Sequence, residues 1–376
     1  MKLLFISGDI ALIKGQKGPF YYLLQEFSKY WERIDIICPR VDADEIDRQF
    51  LHPFPNVFIH PSPWHLIFQP LFIVKKGKEI YQKEKFDLFG IHSYPPFYNE
   101  MGGLKLFKKI KVPFVLECHH IVGYPRSADL KEKIYLFLTK IFLAHYAKKA
   151  TAVRVVNSIQ VPDFLKSIGV DAKKIMYVPS FYIDFETFWP DELVDKKYDL
   201  VFCSRLVGNK GIINLVKAVK IAQLEIPDIK LMIIGSGPLQ KKIEQFVKKN
   251  KLASNILFSG WLNTIEDVAD VYRRSRVFVM PSYNEGGPRV TLEAMACGLP
   301  VITTRVGIMN EIIQDDENGY FVDWSAEDMA EKIIKILNHP ELIKEMGEKA
   351  LASVKVFNRE EMIKNYAEKL IAMIKK

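Results

Sequence analysis

Short apolar runs alternate along the whole chain with longer stretches in which apolar positions recur every three or four residues. In the first half, runs near Leu3–Ser7, Ile34–Pro39, Val57–His60, Leu88–His92, Phe114–Cys118, Ala152–Asn157 and Ile175–Val178 read as buried strands. Helical periodicity predicts helices near Phe20–Trp31, Asn99–Ile110, Asp129–Lys149 and Gln160–Ile168. The second half repeats the plan. Its strands fall near Tyr198–Ser204, Lys230–Ile234, Ile256–Ser259, Val277–Met280 and Val301–Thr304, and its helices near Ile213–Leu224, Leu239–Lys249, Ile265–Arg274 and Val290–Cys297. A last helix is predicted near Arg359–Lys375, after a joint at Val356–Asn358. Strands alternating with helices predict parallel sheets covered on their faces by helices.

A chain of 376 residues is too long for one ordinary core, so two domains are expected. The break falls in Pro179–Tyr198, which carries Pro190, a cluster of acids and Lys196-Lys197. The predicted domains are residues 1–185 and 192–357. The 49% hydrophobic and 26% charged composition is that of a soluble globular protein. The apolar run at Leu3–Ile6 is too short for a secretion signal, and Asp9 follows it, so it reads as a strand. No window of 18 apolar residues free of charge suggests a membrane span. Cys38, Cys118, Cys203 and Cys297 lie far apart with no Cys-x-x-Cys pair, which predicts reduced thiols and a cytoplasmic location. The net charge of +8 predicts attraction to anions. No helix-turn-helix signature, RNP-type strand or zinc-ligand spacing accompanies it, so nucleic acid is set aside as a partner.

The densest chemistry lies in Glu285–Pro300. Gly286 and Gly287 let the chain turn after the strand at Val277–Met280, Pro288 suits the first turn of a helix, and Gly298 suits its end. A strand, a glycine turn and a helix start point N–H groups at an anion. Glu285 on the loop and Glu293 on the helix suit hydroxyls of a sugar or ribose. Upstream, Arg205 follows a strand and Lys210 stands five residues on, between Gly208 and Gly211. A guanidinium fork and a compact ammonium suit a diphosphate. In open α/β sheets, ligands bind at the carboxyl ends of the strands, and all of these residues follow predicted strands. A dinucleotide-dependent dehydrogenase is set aside, because no Gly-x-Gly-x-x-Gly follows the first strand.

Four segments, Phe202–Gly211, Ile233–Pro238, Pro281-Ser282 and the Glu-x7-Glu of Glu285 and Glu293, resemble in order and spacing the retaining glycosyltransferases of family 4. The resemblance covers roughly the whole chain. It implies the GT-B fold: α/β, two Rossmann-like domains facing a central cleft. The C-terminal helix, within 358–376, would pack back on the first domain. It implies an enzyme, with hexosyl transfer expected, that moves a sugar from a nucleotide-diphosphate sugar to a hydroxyl acceptor. The first domain would bind acceptor and the second donor. No cofactor and no metal are expected. By resemblance Arg205, Lys210 and Gly18 hold the donor diphosphate. Glu285 acts at the transferred sugar, Gly286 and Gly287 offer N–H groups, and Glu293 binds the ribose.

His119 is placed at the donor sugar as a catalytic residue, with His120 as the adjacent option; a His-His metal site is the rival reading. His92 and Gly15 fall on the acceptor side. Two features depart from the family pattern: Gly287 stands where a bulky apolar residue is common, and Pro179–Asp184 replaces a Pro-Asn-Gly-x-Asp linker. A silent nucleotide-sugar binding module and a phosphorylase or hydrolase relative are the alternative functions. Trp64–Lys85 and Asp129–Lys149 mix apolar residues with lysines. They suit helices lying on an anionic membrane, which would bring a lipid-linked acceptor within reach at the inner membrane face. Core-facing helices with a solvated basic side would look the same.

Overall fold

The computed structural model describes residues 1–375. The chain divides into two compact units. The first comprises Met1–Ile121, Ile134–Ser180 and the segment from Glu360 on; the second comprises Val122–Lys133 and Phe181–Arg359. The division differs from a single cut in the linker, because residues 122–133 group with the second unit. The linker's Phe181, Ile183 and Phe188 are buried rather than solvated.

The first unit contains β1 (Lys2–Ile6), α1 (Pro19–Phe27), β2 (Arg33–Cys38), β3 (Val57–Pro61), α2 (Gln69–Glu84), β4 (Leu88–His92), α3 (Tyr98–Ile110) and β5 (Phe114–Cys118). It continues with α4 (Leu130–Lys149, whose first turn counts with the second unit), β6 (Ala152–Val155), α5 (Gln160–Ser167) and β7 (Ile175–Tyr177). Its seven strands are parallel in the order β3-β2-β1-β4-β5-β6-β7. Helices cover both faces of such a sheet, so its strands read as continuous apolar runs. Leu3, Leu4, Phe5 and Ile6 are all fully buried. Each such side chain contributes roughly 1.5–3 kcal/mol on burial.

The second unit contains β8 (Tyr198–Cys203), α6 (Ile212–Ala222), β9 (Leu231–Ile234), α7 (Gln240–Lys249), β10 (Ile256–Gly260), α8 (Ile265–Arg273) and β11 (Ser275–Met280). It goes on through α9 (Arg289–Ala296), β12 (Val301–Thr303), α10 (Met309–Ile312), β13 (Gly319–Phe321), α11 (Ala326–Leu337) and α12 (Pro340–Val354). Its six parallel strands run β10-β9-β8-β11-β12-β13. In each sheet the strand order reverses beside the first strand, between β1 and β4 and between β8 and β11. Those switch points open the crevices where α/β sheets bind ligands.

The last helix, α13 (Arg359–Ile374), returns to the first unit. Tyr366 on α13 is buried and donates its hydroxyl to Glu117 Oε1 at 2.6 Å. Glu117 also takes Arg154 Nη1 at 2.7 Å, and the Arg154 guanidinium lies 3.8 Å from the Tyr366 ring. Arg154 further donates to the carbonyls of Val178 and Pro179. A buried carboxylate is thus paired and fully hydrogen-bonded, as burial of a charge requires. All four cysteines are free and buried. Among the described residues no helix is long and apolar enough to cross a membrane.

Candidate active site

At the second unit's switch point, the loops after β8 and β11 are tied into one surface. Gly211, with φ of 69°, ends the 3-10 turn Gly208–Lys210; a Cβ there would lie 2.0 Å from the carbonyl oxygen of Pro281. Only glycine allows that approach without strain. Tyr283 N–H donates to Asn209 O at 2.7 Å, and Asn214 Nδ2 reaches the Tyr283 hydroxyl at 3.0 Å. The carbonyl of Ser282 accepts Thr304 Oγ1 at 2.5 Å and Trp324 Nε1 at 3.0 Å. These bonds fix the Pro281-Ser282 segment before any ligand arrives.

On that platform Lys210 Nζ donates to Glu285 Oε1, and Ser282 Oγ donates to the same oxygen at 3.2 Å. Both charged side chains are 15% exposed. Arg205, after β8, is exposed and pairs with no carboxylate among the described residues. A guanidinium held at a strand end with no internal partner is free to take a phosphate.

Glu293, on α9, has no hydrogen-bond partner among the described residues. Its surroundings push its carboxyl from an ordinary 4.5 up to about 7, by desolvation, with Arg289 pulling the other way. Some of its surface stays accessible, so it combines a poorly solvated carboxyl with a path for a ligand's hydroxyls. The carbonyl of Gly286 accepts Ile308 N–H at 3.0 Å.

The Gly287 departure has a steric cause. A Cβ at 287 would meet the Phe181 ring at 2.2 Å. Phe181 comes from the linker, where the Asn-Gly turn of the resembling family is absent. The two departures therefore meet in space: Phe181 of the linker fills the volume that a side chain at 287 would need. Phe181 is held in turn by Phe357, with ring centroids 5.2 Å apart, and Ile183 N–H donates to Phe357 O at 2.8 Å.

Sequence reasoning missed the segment 122–133. Asn284 Nδ2 donates to Glu132 Oε2 at 2.9 Å and to Arg126 O at 3.0 Å. The Arg126 guanidinium lies over Trp324 and Tyr283, at 4.9 and 5.4 Å. No motif marks Arg126; only the fold brings it to the loop that carries Glu285.

In the first unit, Ser7, His92 and His119 gather at the carboxyl ends of β1, β4 and β5. His92 Nδ1 lies 3.1 Å from Ser7 Oγ, and the His92 and His119 rings are 5.2 Å apart. His119 Nε2 lies 3.8 Å from Glu117 Oε2. Burial lowers the basicity of both imidazoles, and for His119 the neighbouring His92, Arg154 and His120 add to it. The His119 side chain keeps 42% of its surface, and the fixed charge of Arg154 acts in the same direction as burial. Among the described residues no three of His, Cys, Asp and Glu gather as metal ligands.

Gly18 precedes α1, and a Cβ there would meet nothing within 4 Å. Phe20, two residues on, packs against His92 at 5.8 Å. Gly15 ends the 3-10 turn Leu12–Lys14 with φ of 79°, facing Asp47.

Comparison with known proteins agrees with this architecture. The family described as Glycosyl transferases group 1 matches residues 184–352, and Glycosyltransferase Family 4 matches 20–182. An uncharacterized glycosyltransferase of Methanocaldococcus jannaschii is 32% identical over 301 residues, covering 78% of this chain and 79% of that one. Among solved structures, a sucrose-phosphate synthase from Thermosynechococcus elongatus superposes with a TM-score of 0.79 at 20% identity, over 99% of each chain. HepE of Anabaena, in complex with UDP and glucose, gives 0.75 at 17% identity, over 99% of this chain and 100% of that one. The silent binding module is thereby set aside in favour of an enzyme. The chain belongs to the glycosyltransferases, with the GT-B fold of two Rossmann-like domains.

Proposed function

We propose that the chain is a retaining family 4 enzyme, acting as a hexosyltransferase that uses a nucleotide-diphosphate sugar. The observation that carries this reading is the β8/β11 switch point. There the loops after β8 and β11 carry an unpaired Arg205 and a Lys210–Glu285 pair, and α9, which follows, carries the unpartnered carboxyl of Glu293. Arg205 and Lys210 hold the diphosphate, and fixed cations there stabilise the charge it gains as the glycosidic bond breaks. Glu293 accepts hydrogen bonds from the ribose hydroxyls. Glu285 bonds the hydroxyls of the transferred sugar and offsets positive charge growing at the anomeric carbon. Gly286 and Gly287 bring backbone close to that sugar. The nucleotide seen with HepE supports a uridine donor.

The second unit binds the donor and the first unit the acceptor. His119 acts at the donor sugar, and its depressed basicity keeps the imidazole neutral and able to share a proton. Gly18, at the open start of α1, offers backbone to the diphosphate. The acceptor's hydroxyl oxygen forms the new bond to the anomeric carbon as the bond to the diphosphate oxygen breaks, and the hydroxyl proton passes to the departing diphosphate. The acceptor is carried on a lipid, and the chain works peripherally at a membrane. No metal takes part, so full turnover in the presence of a chelator is expected; loss with rescue by a divalent ion would overturn that part. Glu285→Gln tests the assignment: sugar transfer falls while nucleoside diphosphate binding persists. Normal transfer in that variant would refute it.

A further inference from the structure

The segment Val122–Lys133 lies in sequence between β5 and the body of α4, yet it counts with the second unit. The catalytic reading gives it no task. Its contacts reach Tyr283 and Asn284, the two residues before Glu285. The side chain of Asn284 is fully buried. Both hydrogens of its amide are used, one on Glu132 Oε2 at 2.9 Å and one on the Arg126 carbonyl at 3.0 Å. A carboxylate and a carbonyl only accept, so the amide has one orientation that serves both. Its oxygen lies 3.5 Å from Asn209 Nδ2. Glu132 Oε2 also takes the N–H of Ala128 at 2.7 Å, and Arg126 N–H donates to the carbonyl of Tyr283 at 3.3 Å. One carboxylate oxygen thus closes the turn of the segment and holds the loop.

The other side of the loop is fixed by the β8 side of the sheet. Asn209 O takes the N–H of Tyr283, and Asn214 Nδ2 bonds the Tyr283 hydroxyl and the Trp324 carbonyl. The Arg126 guanidinium lies over both of those aromatic rings. A Cβ at Gly208 would come within 3.6 Å of Ala128 Cβ, so the segment also closes on the turn that carries Lys210. Tyr283 and Asn284 are therefore gripped from two directions.

We propose that Asn284 and Glu132 are positioning residues for sugar transfer. Through the segment 122–133 they set where the Glu285 carboxylate stands at the transferred sugar. Lys210 and Ser282 hold one oxygen of Glu285 and so fix its side chain. The segment fixes the backbone that carries it. A displacement of about 1 Å in a reacting group costs on the order of 10²-fold in rate, so a tie one residue away from Glu285 has leverage on the chemical step. Arg205 and Glu293 hold none of these bonds, which separates the tie from donor binding. The inference rests on the glycosyl-transfer reading of Glu285.

Release of uridine diphosphate from its glucose conjugate, with water as the acceptor, reads the chemical step in the intact chain. Asn284→Ala and Glu132→Ala should each lower turnover at saturating donor by at least about tenfold. Donor KM and affinity for uridine diphosphate should stay unchanged. The double substitution should cost no more than the worse single one, because both remove the same connection. Glu132→Gln keeps an oxygen for both donors, so it should recover most of what Glu132→Ala loses. Glu285→Gln, measured alongside, separates this inference from the reading beneath it. Normal turnover in both alanine variants, with turnover lost in Glu285→Gln, overturns the positioning role and leaves the reading standing. Normal turnover in all three overturns both. Losses that follow a fall in uridine diphosphate affinity, or that add in the double variant, mark a structural tie only and overturn the proposal as well.

Discussion

Glu285→Gln keeps the size of the side chain and removes its charge, so it separates transition-state stabilisation from donor binding. Turnover should fall by ~10²–10³, as when one transition-state contact is lost, with nucleoside diphosphate affinity little changed; steady-state kinetics and titration calorimetry together check this. Glu293 makes a prediction of opposite kind. Its carboxyl is raised from 4.5 to about 7 by burial, so between those values the folded chain holds more protons than the unfolded one, and stability falls as pH rises through that window. The ionised form accepts from the ribose hydroxyls more strongly, since charge-assisted hydrogen bonds exceed those to a neutral acid. Nucleotide affinity should therefore gain more between about pH 6 and about pH 8 in the wild type than in Glu293→Gln, where the titration of the phosphate is the only contribution left. Parallel slopes would remove Glu293 from the ribose. Glu285, Glu293, Arg205 and Lys210 were legible because chemistry at strand ends restricts residue type and spacing. The contact between Lys210 and Glu285 was not, because it spans 75 positions and depends on β8 lying beside β11. Arg126 left no signal, because its role follows from where its segment packs.

Among the elements, the linker and the Glu285 loop form a matched pair. Gly287→Leu should destabilise the chain, since Phe181 already fills the space a side chain would take. Phe181→Ala alone should cost about 3–5 kcal/mol, as for other large buried aromatics. The double substitution should be less damaging than the sum, with a coupling of at least about 1 kcal/mol in a thermal or denaturant cycle. Simple additivity would mean the two sites do not exchange volume. The sequence displayed both departures but not their connection, which needs the linker buried in the second unit rather than spanning solvent. Most elements were legible because buried parallel strands are continuous apolar runs. β13, three residues long and opening on Gly319, was overlooked. α11 and α12 were overlooked although their starts carry signals: Ser325 caps Asp328 N–H at 3.2 Å, and Pro340 opens α12. The predicted helix at Phe20–Trp31 stops at Phe27, because Ser28 turns its hydroxyl back to the carbonyl of Gln25 and Trp31 turns into the core.

At the scale of the molecule, two domains were expected from the chain's length and the break at Pro179–Tyr198, and the return of α13 was expected only through the resemblance. The Glu117–Arg154–Tyr366 cluster, whose members are far apart in sequence, helps to hold α13. Tyr366→Phe leaves Glu117 short of one buried hydrogen bond and should cost about 1–3 kcal/mol, read by chemical denaturation; an unchanged midpoint would show the bond to be dispensable. Glu117 also lies next to His119, so the same variant should alter the pH profile of turnover if the cluster sets the charge around that imidazole. On the proposed reading, the β8/β11 switch point of this glycosyltransferase is built for a nucleotide-diphosphate sugar. Titration calorimetry of the intact chain against uridine, guanosine and adenosine diphosphates, repeated on Arg205→Ala, tests it most directly. At least one diphosphate should bind the wild type and lose at least about tenfold in affinity when the fixed guanidinium is removed. Equal affinity in the two proteins, or no binding of any diphosphate, would remove the donor from this switch point.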